Sequence, residues 1–176
     1  KAEPRDDHRM RIEHCCCVPD AQMKRMKELG AVSSSATGFL YDLGDLYVRN
    51  RGQAAMNTMF RHRSFIDNGI PAAGHSDNPV CMVNPFKAMW SMVSRTTSMG
   101  DDGGKDEAVS IEEALRAYTV LGAWAGREEH IKGSLKPGML ADMAILDRDI
   151  FTVETDAIRD TQVITTILDG RVVYEG

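Results

Sequence analysis

The chain has 176 residues, a net charge of -5 at neutral pH and a normal hydrophobic content of 43%. That length suits one ordinary domain, or one domain with an appendage. The acidic balance, without any basic run, argues against a nucleic-acid-binding surface. No apolar run approaches the ~20 residues that cross a bilayer. We therefore expect a globular protein that binds neither nucleic acid nor membrane.

The cysteines and the first residues of the chain bear on its surroundings. Three of the four cysteines are consecutive, at residues 15–17, which makes a poor disulfide framework because neighbouring strand residues point to opposite faces. We expect small buried thiols in a reducing compartment, and hence a cytoplasmic protein. The chain begins at Lys1 and is within a strand-like run by Met10. This beginning predicts the downstream part of a larger protein.

The first half of the chain is typical of repeated strand–helix units. The patterns predict a strand over residues 10–18, a helix over residues 20–29 and a second strand over residues 31–35. Residues 36–53 are irregular and interrupted by glycines, which predicts a long loop that covers a site. A helix over residues 54–68 and a strand from residue 70 follow. Strands that alternate with helices imply a parallel sheet.

The second half changes from helices to short strands. A helix is predicted over residues 84–96, and a capping box at residues 110–113, S-I-E-E, begins another helix that reaches Tyr118. After Gly126 come turn residues, a strand over residues 141–147 and a hairpin around Asp169-Gly170. The sequence therefore predicts an α/β domain over residues 1–128 and a β segment over residues 129–176.

One stretch, I-P-A-A-G-H-S-D-N-P-V at residues 70–80, predicts a buried parallel strand that ends in a polar cluster. If the strand extends to Asp77, alternation places His75 and Asp77 on one face. Active sites of parallel α/β folds lie at the carboxyl ends of strands. A histidine beside a carboxylate suits a divalent metal or a proton transfer. A polar turn that caps the next helix is the structural alternative.

Other polar residues are weaker candidates. His14, near the end of the first strand, is a candidate metal ligand. Ser76, His14 and Asp77 contain the residue types of a serine hydrolase, but no G-x-S-x-G elbow accompanies them. Arg95 is a candidate for a substrate anion, although a salt-bridged surface arginine is commoner. Three histidines in charged surroundings are expected to face solvent: His8, His62 and His130.

Five local patterns, in this order along the chain, resemble the amidohydrolase superfamily. More narrowly they resemble amidohydrolase family 3, the group that contains N-substituted formamide deformylases. The patterns are R-I-E-H (residues 11–14), G-H-S-D-N-P-V (74–80), E-A-L-R-A-Y-T (113–119), G-S-L-K-P-G-M-L-A-D-M-A-I-L-D (133–147) and T-I-L-D-G-R-V-V-Y (166–174). The resemblance covers nearly the whole chain, and the fourth pattern is specific to the accessory β domain of the superfamily.

The resemblance implies part of a metal-dependent (β/α)8 TIM barrel, about strands six to eight, followed by the last strands of a small β-sandwich. It implies that His14 and Asp77 bind a divalent metal, with zinc as the expected ion, and that Asp77 is the general base. His75 stands where the family often has a small residue, so we keep it with Arg95 as a substrate-binding candidate. The implied reaction is hydrolysis of a carbon–nitrogen bond, other than a peptide bond, in a small-molecule amide.

The chain also departs from the family. It lacks the H-x-H of the first barrel strand, the lysine or glutamate of the fourth and the histidine of the fifth, which would all lie upstream of Lys1. We therefore expect the chain to need the missing N-terminal part of the barrel, and we expect a homo-oligomer. The alternative is a catalytically inactive fragment that serves as an interaction or oligomerisation module.

Overall fold

A parallel sheet forms the first part of the computed structural model, which describes residues 6–176. Its strands lie in the order β1 (Arg11–His14), β2 (Val32–Ser35) and β3 (Ala72–Gly74). Both neighbouring pairs are parallel, as predicted. The register aligns the ends of the strands, so that His14 lies opposite Ser35, and Ser35 opposite Gly74. The carboxyl ends of all three strands therefore meet at one edge of the sheet.

Four helices connect these strands: α1 (Asp20–Leu29), α2 (Thr37–Arg51), α3 (Gln53–Met56) and α4 (His62–Asp67). The predicted bounds of α1 are confirmed. Its apolar side buries Met23 and Met26, and Gly30 ends the helix in the left-handed conformation that glycine adopts without strain. α1 and β3 therefore share one apolar core with Phe65 of α4.

The predicted loop over residues 36–53 is wrong, because most of that stretch forms α2. Its glycines mark close packing and do not interrupt the helix. A Cβ atom on Gly44 would overlap the side chain of Thr97, and one on Gly38 would lie 3.1 Å from Cα of Ser76. Glycine normally weakens a helix interior, but here only glycine lets α2 approach these neighbours.

The single helix predicted over residues 54–68 is also wrong. α3 and α4 are separated by a turn in which Phe60 has a φ of 51°. The guanidinium of Arg95 donates hydrogen bonds to the carbonyls of Met59 and Phe60 in this turn. A distant side chain thus satisfies the backbone groups that a continuous helix would have paired internally.

Three further helices follow β3: α5 (Pro85–Ser94), α6 (Ile111–Tyr118) and α7 (Val120–Ala125). Asn84 caps α5 through its side chain, which accepts from the backbone N–H of Phe86. The predicted capping box of α6 is confirmed, with Ser110 and Glu113 bonded to each other's backbone. α6 and α7 both contact β3, an outer strand of the parallel sheet.

The second sheet is antiparallel and lies at the end of the chain. Its strands are β4 (Met143–Leu146), β5 (Val163–Leu168) and β6 (Arg171–Glu175), in that order. The predicted hairpin around Asp169-Gly170 is confirmed. The indole N–H of Trp90 on α5 donates to Asp156 at 3.0 Å, and Ile150 shares a core with Phe86. The β segment therefore packs against α5, while the boundary at residues 128–129 stays a prediction.

The burial of the four cysteines agrees only in part with the prediction. All four cysteines are free. Cys15 is buried as predicted, but Cys17 is exposed, so the prediction of buried thiols is wrong for that residue.

Over residues 6–176, no helix has the length and the apolar character needed to cross a membrane.

Candidate metal centre

Three polar side chains converge at the carboxyl edge of the parallel sheet. His14 ends β1, and His75 and Asp77 follow the end of β3. Nε2 of His14 lies 4.0 Å from Oδ2 of Asp77. The imidazole rings of His14 and His75 have centroids 5.2 Å apart. The sequence predicted that His14, His75 and Asp77 lie at the ends of two separate strands. The structure places all three at the same edge of the sheet.

The backbone at this cluster is unusual. His14 has a φ of 67° and Asp77 a φ of 54°, both in the left-handed region that few residues other than glycine adopt. Because such conformations cost free energy, they concentrate at functional sites. Asp77 is not part of an extended strand, so the alternation argument for His75 and Asp77 is wrong. Asp77 instead reaches His14 from a turn, where its carbonyl accepts from the N–H of Val80 at 2.8 Å.

His14 and Asp77 are close enough in space to contact one common ion. A separation of 4.0 Å is too long for a hydrogen bond between them. Both side chains are partly open to solvent, with 46% and 42% of their area exposed. Two metal–ligand bonds of about 2 Å each can span that separation. The donor types and the spacing therefore fit a divalent ion.

These two ligands do not complete a metal site. A structural or catalytic zinc ion takes three or four protein ligands. Within residues 6–176, no group of three or more His, Cys, Asp and Glu side chains has the arrangement of a metal site. Among the described residues, His14 and Asp77 are therefore two candidate donors and not a complete site.

His75 is held by a hydrogen bond to the neighbouring strand. Its Nε2 lies 3.1 Å from the carbonyl oxygen of Ser34 on β2. Because a carbonyl only accepts, Nε2 carries the proton and Nδ1 keeps its lone pair. Burial, and next the proximity of His14, lowers the pKa of His75. His75 is therefore neutral at pH 7, with one nitrogen able to accept a hydrogen bond.

Phe39, which the sequence reasoning missed, forms the wall of this cluster. Its ring stacks on His14 with centroids 5.4 Å apart and an interplanar angle of 27°. It meets His75 edge-on at 6.2 Å and 74°. Phe39 lies near the start of α2, directly after β2. Recognition of α2 as a helix would have placed this residue at the carboxyl edge, because that helix begins where β2 ends.

The start of α2 is tied to the strand end that leads to Asp77. The N–H of Gly38 donates to the carbonyl of His75 at 3.1 Å. The hydroxyl groups of Thr37 and Tyr118 share a hydrogen bond of 2.7 Å. Burial raises the pKa of Tyr118 to about 12, so this phenol stays protonated. The start of α2 is therefore bonded both to the end of the third strand, at His75, and to α6, at Tyr118.

Arg95 and His62, which the sequence predicted to be accessible, are buried away from the cluster. Arg95 is fully buried, and its guanidinium donates to four backbone carbonyls, those of Met59, Phe60, Gly103 and Gly104. The structure therefore gives Arg95 a structural role in place of the expected substrate contact, because no donor is left facing solvent. His62 is buried and not solvent-facing, and burial lowers its pKa to about 4. The exposure predicted for His8 and His130 is confirmed.

The geometry does not support a serine hydrolase. Within the described residues, the hydroxyl of Ser76 makes no hydrogen bond to His14 or to Asp77. A nucleophilic serine needs a base within hydrogen-bond reach. Ser76 instead contributes its backbone, which packs closely against Gly38.

Comparison with known proteins identifies the family of the chain. The sequence matches the amidohydrolase family over residues 1–174, and the chain belongs to that family. It is 34% identical to an N-substituted formamide deformylase of Arthrobacter pascens over 94% of the chain and 31% of that protein. It is 27% identical to a metal-dependent hydrolase of Pyrococcus horikoshii, with a TM-score of 0.71 over 83% of the chain and 30% of that structure.

More distant structures share the fold. An amidohydrolase of Thermotoga maritima superposes with a TM-score of 0.66 at 18% identity, over 94% of the chain and 37% of that structure. The chain thus spans about a third of the length of the relatives that it matches. The α/β architecture around the cluster is therefore that of amidohydrolases.

Proposed function

We propose that this chain is the C-terminal part of a metal-dependent amidohydrolase that cleaves carbon–nitrogen bonds other than peptide bonds. In this proposal β1, β2 and β3 are strands six to eight of a (β/α)8 barrel, and residues 129–176 end a β-sandwich. The observation that carries the proposal is the 4.0 Å approach of His14 and Asp77 at the carboxyl edge of the sheet. The family match and the metal-dependent relatives support it.

His14 and Asp77 would hold the divalent metal. Imidazole nitrogen and carboxylate oxygen are ligands that zinc accepts readily, so zinc is the ion that we expect. When bound, such an ion polarises a substrate carbonyl and lowers the pKa of a water molecule toward neutrality. His75 supports His14, because its ring is fixed by the carbonyl of Ser34 and packs beside the His14 ring. Phe39 limits the movement of both rings.

Asp77 acts as the general base in this proposal. Its carboxylate takes a proton from the attacking water, whose oxygen bonds to the amide carbon. The carbon–nitrogen bond then breaks, and Asp77 returns the proton to the leaving nitrogen. The products are a carboxylic acid and an amine. The N-substituted formamide deformylase among the relatives supports a small N-substituted amide as the substrate.

The site needs the upstream part of the barrel. Among residues 6–176, β1 and β3 are the outer strands of a three-stranded parallel sheet, and each has one side without a neighbouring strand. Two donors are also too few to hold a catalytic metal. Strands that precede Lys1 in the complete protein would pair these edges and supply the missing ligands.

Two further parts of the proposal concern assembly and location. Large apolar side chains of the second sheet are exposed, among them Val172, Val173 and Tyr174. Such a surface supports contact with another chain segment or with a second copy, and hence a homo-oligomer. The free thiols support a cytoplasmic location, where cysteines stay reduced.

A second candidate function is an interaction module without catalysis. The presence of only two metal donors within the described residues favours it. The DNA upstream of the codon for Lys1 separates the two candidates. An open reading frame that encodes a strand with H-x-H supports the enzyme, whereas a start codon immediately before Lys1 supports the module.

Metal analysis of the complete protein tests the proposed function. We expect at least one divalent ion per chain, and we expect His14→Gln to lose most of it during dialysis against a chelator. His130→Gln is the matched control, because His130 is exposed in the β segment. Equal metal retention by the parent and His14→Gln would contradict the assignment of His14.

A further inference from the structure

The pattern E-A-L-R-A-Y-T, at residues 113–119, contains no residue of the candidate metal centre. Its tyrosine, Tyr118, is the last residue of α6 and lies against the end of β3. A Cβ atom on Gly74, the last residue of β3, would lie 2.9 Å from Cε2 of the Tyr118 ring. α6 therefore reaches the strand end from which the chain continues to Asp77.

The hydroxyl groups of Tyr118 and Thr37 are linked in one direction. Their oxygens are 2.7 Å apart, and Oγ1 of Thr37 makes a long hydrogen bond of 3.5 Å to the carbonyl of His75. A threonine hydroxyl has one proton, so Thr37 donates it to that carbonyl and accepts from Tyr118. Burial raises the pKa of Tyr118 to about 12, so the phenol keeps the proton that it donates. The bonds therefore run from Tyr118 through Thr37 to the backbone of His75.

His75 is also fixed by its other polar groups. Its carbonyl accepts a second bond from α2, from the N–H of Gly38 at 3.1 Å. Its N–H donates to the carbonyl of Ser35, and its Nε2 donates to the carbonyl of Ser34, each at 3.1 Å. The segment that leads to Asp77 is therefore bonded to β2 on one side and to the first turn of α2 on the other.

Helix α2 holds both ends of the turn that contains Asp77. Before Asp77, the first turn of α2 bonds the carbonyl of His75. After it, the N–H of Met82 donates to Oδ2 of Asp42 on α2 at 2.9 Å. The Asp77 carboxylate, 4.0 Å from Nε2 of His14, therefore shifts whenever the start of α2 shifts.

We propose that Tyr118 is a positioning residue for the general base: its bond to Thr37 holds the first turn of α2 and, through that turn, the Asp77 carboxylate beside His14. This inference rests on the proposed function, because it takes Asp77 as the general base and as a metal ligand. Tyr118 acts through Thr37 and does not touch the substrate. Its hydroxyl group is therefore the part that orients the site, whereas its ring fills the space beside Gly74.

The test measures kcat and KM for an N-substituted formamide in the complete protein. Tyr118→Phe keeps the ring and should lower kcat about tenfold with KM unchanged, as expected for a group that orients a metal ligand. Thr37→Val should lower kcat at least as much, whereas Thr37→Ser, which keeps the hydroxyl group, should retain the parent kcat. The variant with both Tyr118→Phe and Thr37→Val should equal Thr37→Val alone, because Tyr118 acts through Thr37.

A control and a second measurement accompany these rates. Tyr41→Phe is the matched control, because it also removes a phenol hydroxyl, from a ring that packs edge-on against Trp90 of α5 with centroids 5.8 Å apart. It should keep the parent kcat. The dissociation constant of zinc, measured by competition with a chelating indicator, is independent of turnover. It should rise through the variants in the order in which kcat falls, because Asp77 is also a proposed ligand.

The outcomes separate the positioning role from the proposed hydrolase. If the parent hydrolyses no formamide but the zinc affinities follow this order, the hydrolase fails and the positioning role stands. If the parent is active and Tyr118→Phe keeps both kcat and zinc affinity, the inference is overturned and the hydrolase stands, even if the thermal midpoint of Tyr118→Phe falls. Losses that add in the double variant also overturn it and leave Tyr118 a packing role. A parent that neither binds zinc nor hydrolyses the formamide overturns both.

Discussion

β2 and β6 lie at the two ends of the range of burial that the strands of this molecule show. All four residues of β2 are buried, whereas all five residues of β6 are exposed. β2 lies between two parallel strands in the α/β part (residues 6–128), while β6 is the outer strand of the β segment (residues 129–176). Every member of the candidate site belongs to the α/β part. Two buried apolar clusters lie wholly within that part, whereas the second sheet exposes apolar side chains that a covering layer would bury.

The comparison predicts where substitutions will destabilise this chain most. The same type of substitution should lower the free energy of unfolding much more in the α/β part than in the β segment. Matched pairs of substitutions test this difference, since each pair changes one residue type in both places. The expected losses in the free energy of unfolding decrease through the three pairs that follow.

The largest difference in stability loss is expected between substitutions of two arginines, Arg95 and Arg148. Arg95→Met leaves the carbonyls of Phe60 and Gly104 buried without their donor. We expect a loss of about 4 kcal/mol in the free energy of unfolding, measured by urea denaturation of the 176-residue chain. Arg148→Met in the β segment removes a partly exposed pair with Asp147 and should cost less than about 1 kcal/mol. Equal losses would contradict the contrast between the two parts.

Histidine gives the second contrast, which depends on pH. The pKa of buried His62 is about 4, below its ordinary value of 6.5. Between these values the unfolded chain binds a proton that the folded chain does not, so stability falls as the pH falls. The loss attributable to His62 should reach about 3 kcal/mol at pH 4 and be absent above pH 7.

Urea denaturation between pH 7 and pH 4 checks the histidine contrast. His62→Leu should remove this part of the pH dependence, and it leaves no ring nitrogen without a partner in the core. His130→Leu, at an exposed site, should keep it. A pH profile of His62→Leu that overlies that of the parent would contradict the assignment of this pH dependence to His62.

Valine gives the smallest contrast. Val32 is buried in β2, and Val172 is exposed in β6. Val32→Ser should cost about 2 kcal/mol, because it removes apolar area and buries a hydroxyl group. Val172→Ser should cost less than about 0.5 kcal/mol in the same urea titration. A large loss for Val172→Ser would mean that the second sheet is covered in solution, as in a homo-oligomer.

Local sequence signals predicted most of the architecture. The spacing of Met23 and Met26 and the stop at Gly30 located α1, and the capping box of Ser110 and Glu113 located α6. The Asp169-Gly170 turn located the terminal hairpin. These elements are set by residues within a few positions of one another, so the sequence alone predicts them.

Elements that depend on distant contacts were not predicted. α2 contains glycines because it approaches Thr97 and Ser76, which no local pattern shows. The turn between α3 and α4 depends on the side chain of Arg95, which lies more than thirty positions away along the chain. Phe39 was missed as part of the site for the same reason. His14 and Asp77 could be predicted as candidates because each stands near the end of a strand pattern, and their roles stay a prediction.

The central claim is that Asp77 is the general base of an amide hydrolase. The direct test is the rate at which the complete protein hydrolyses an N-substituted formamide, compared with the rates of Asp77→Asn and Asp101→Asn. We expect Asp77→Asn to lower kcat by about 10²–10⁴-fold, the usual contribution of a general base. Asp101→Asn, at an exposed position after α5, should keep the parent rate. An Asp77→Asn protein that hydrolyses the formamide as fast as the parent would contradict the account.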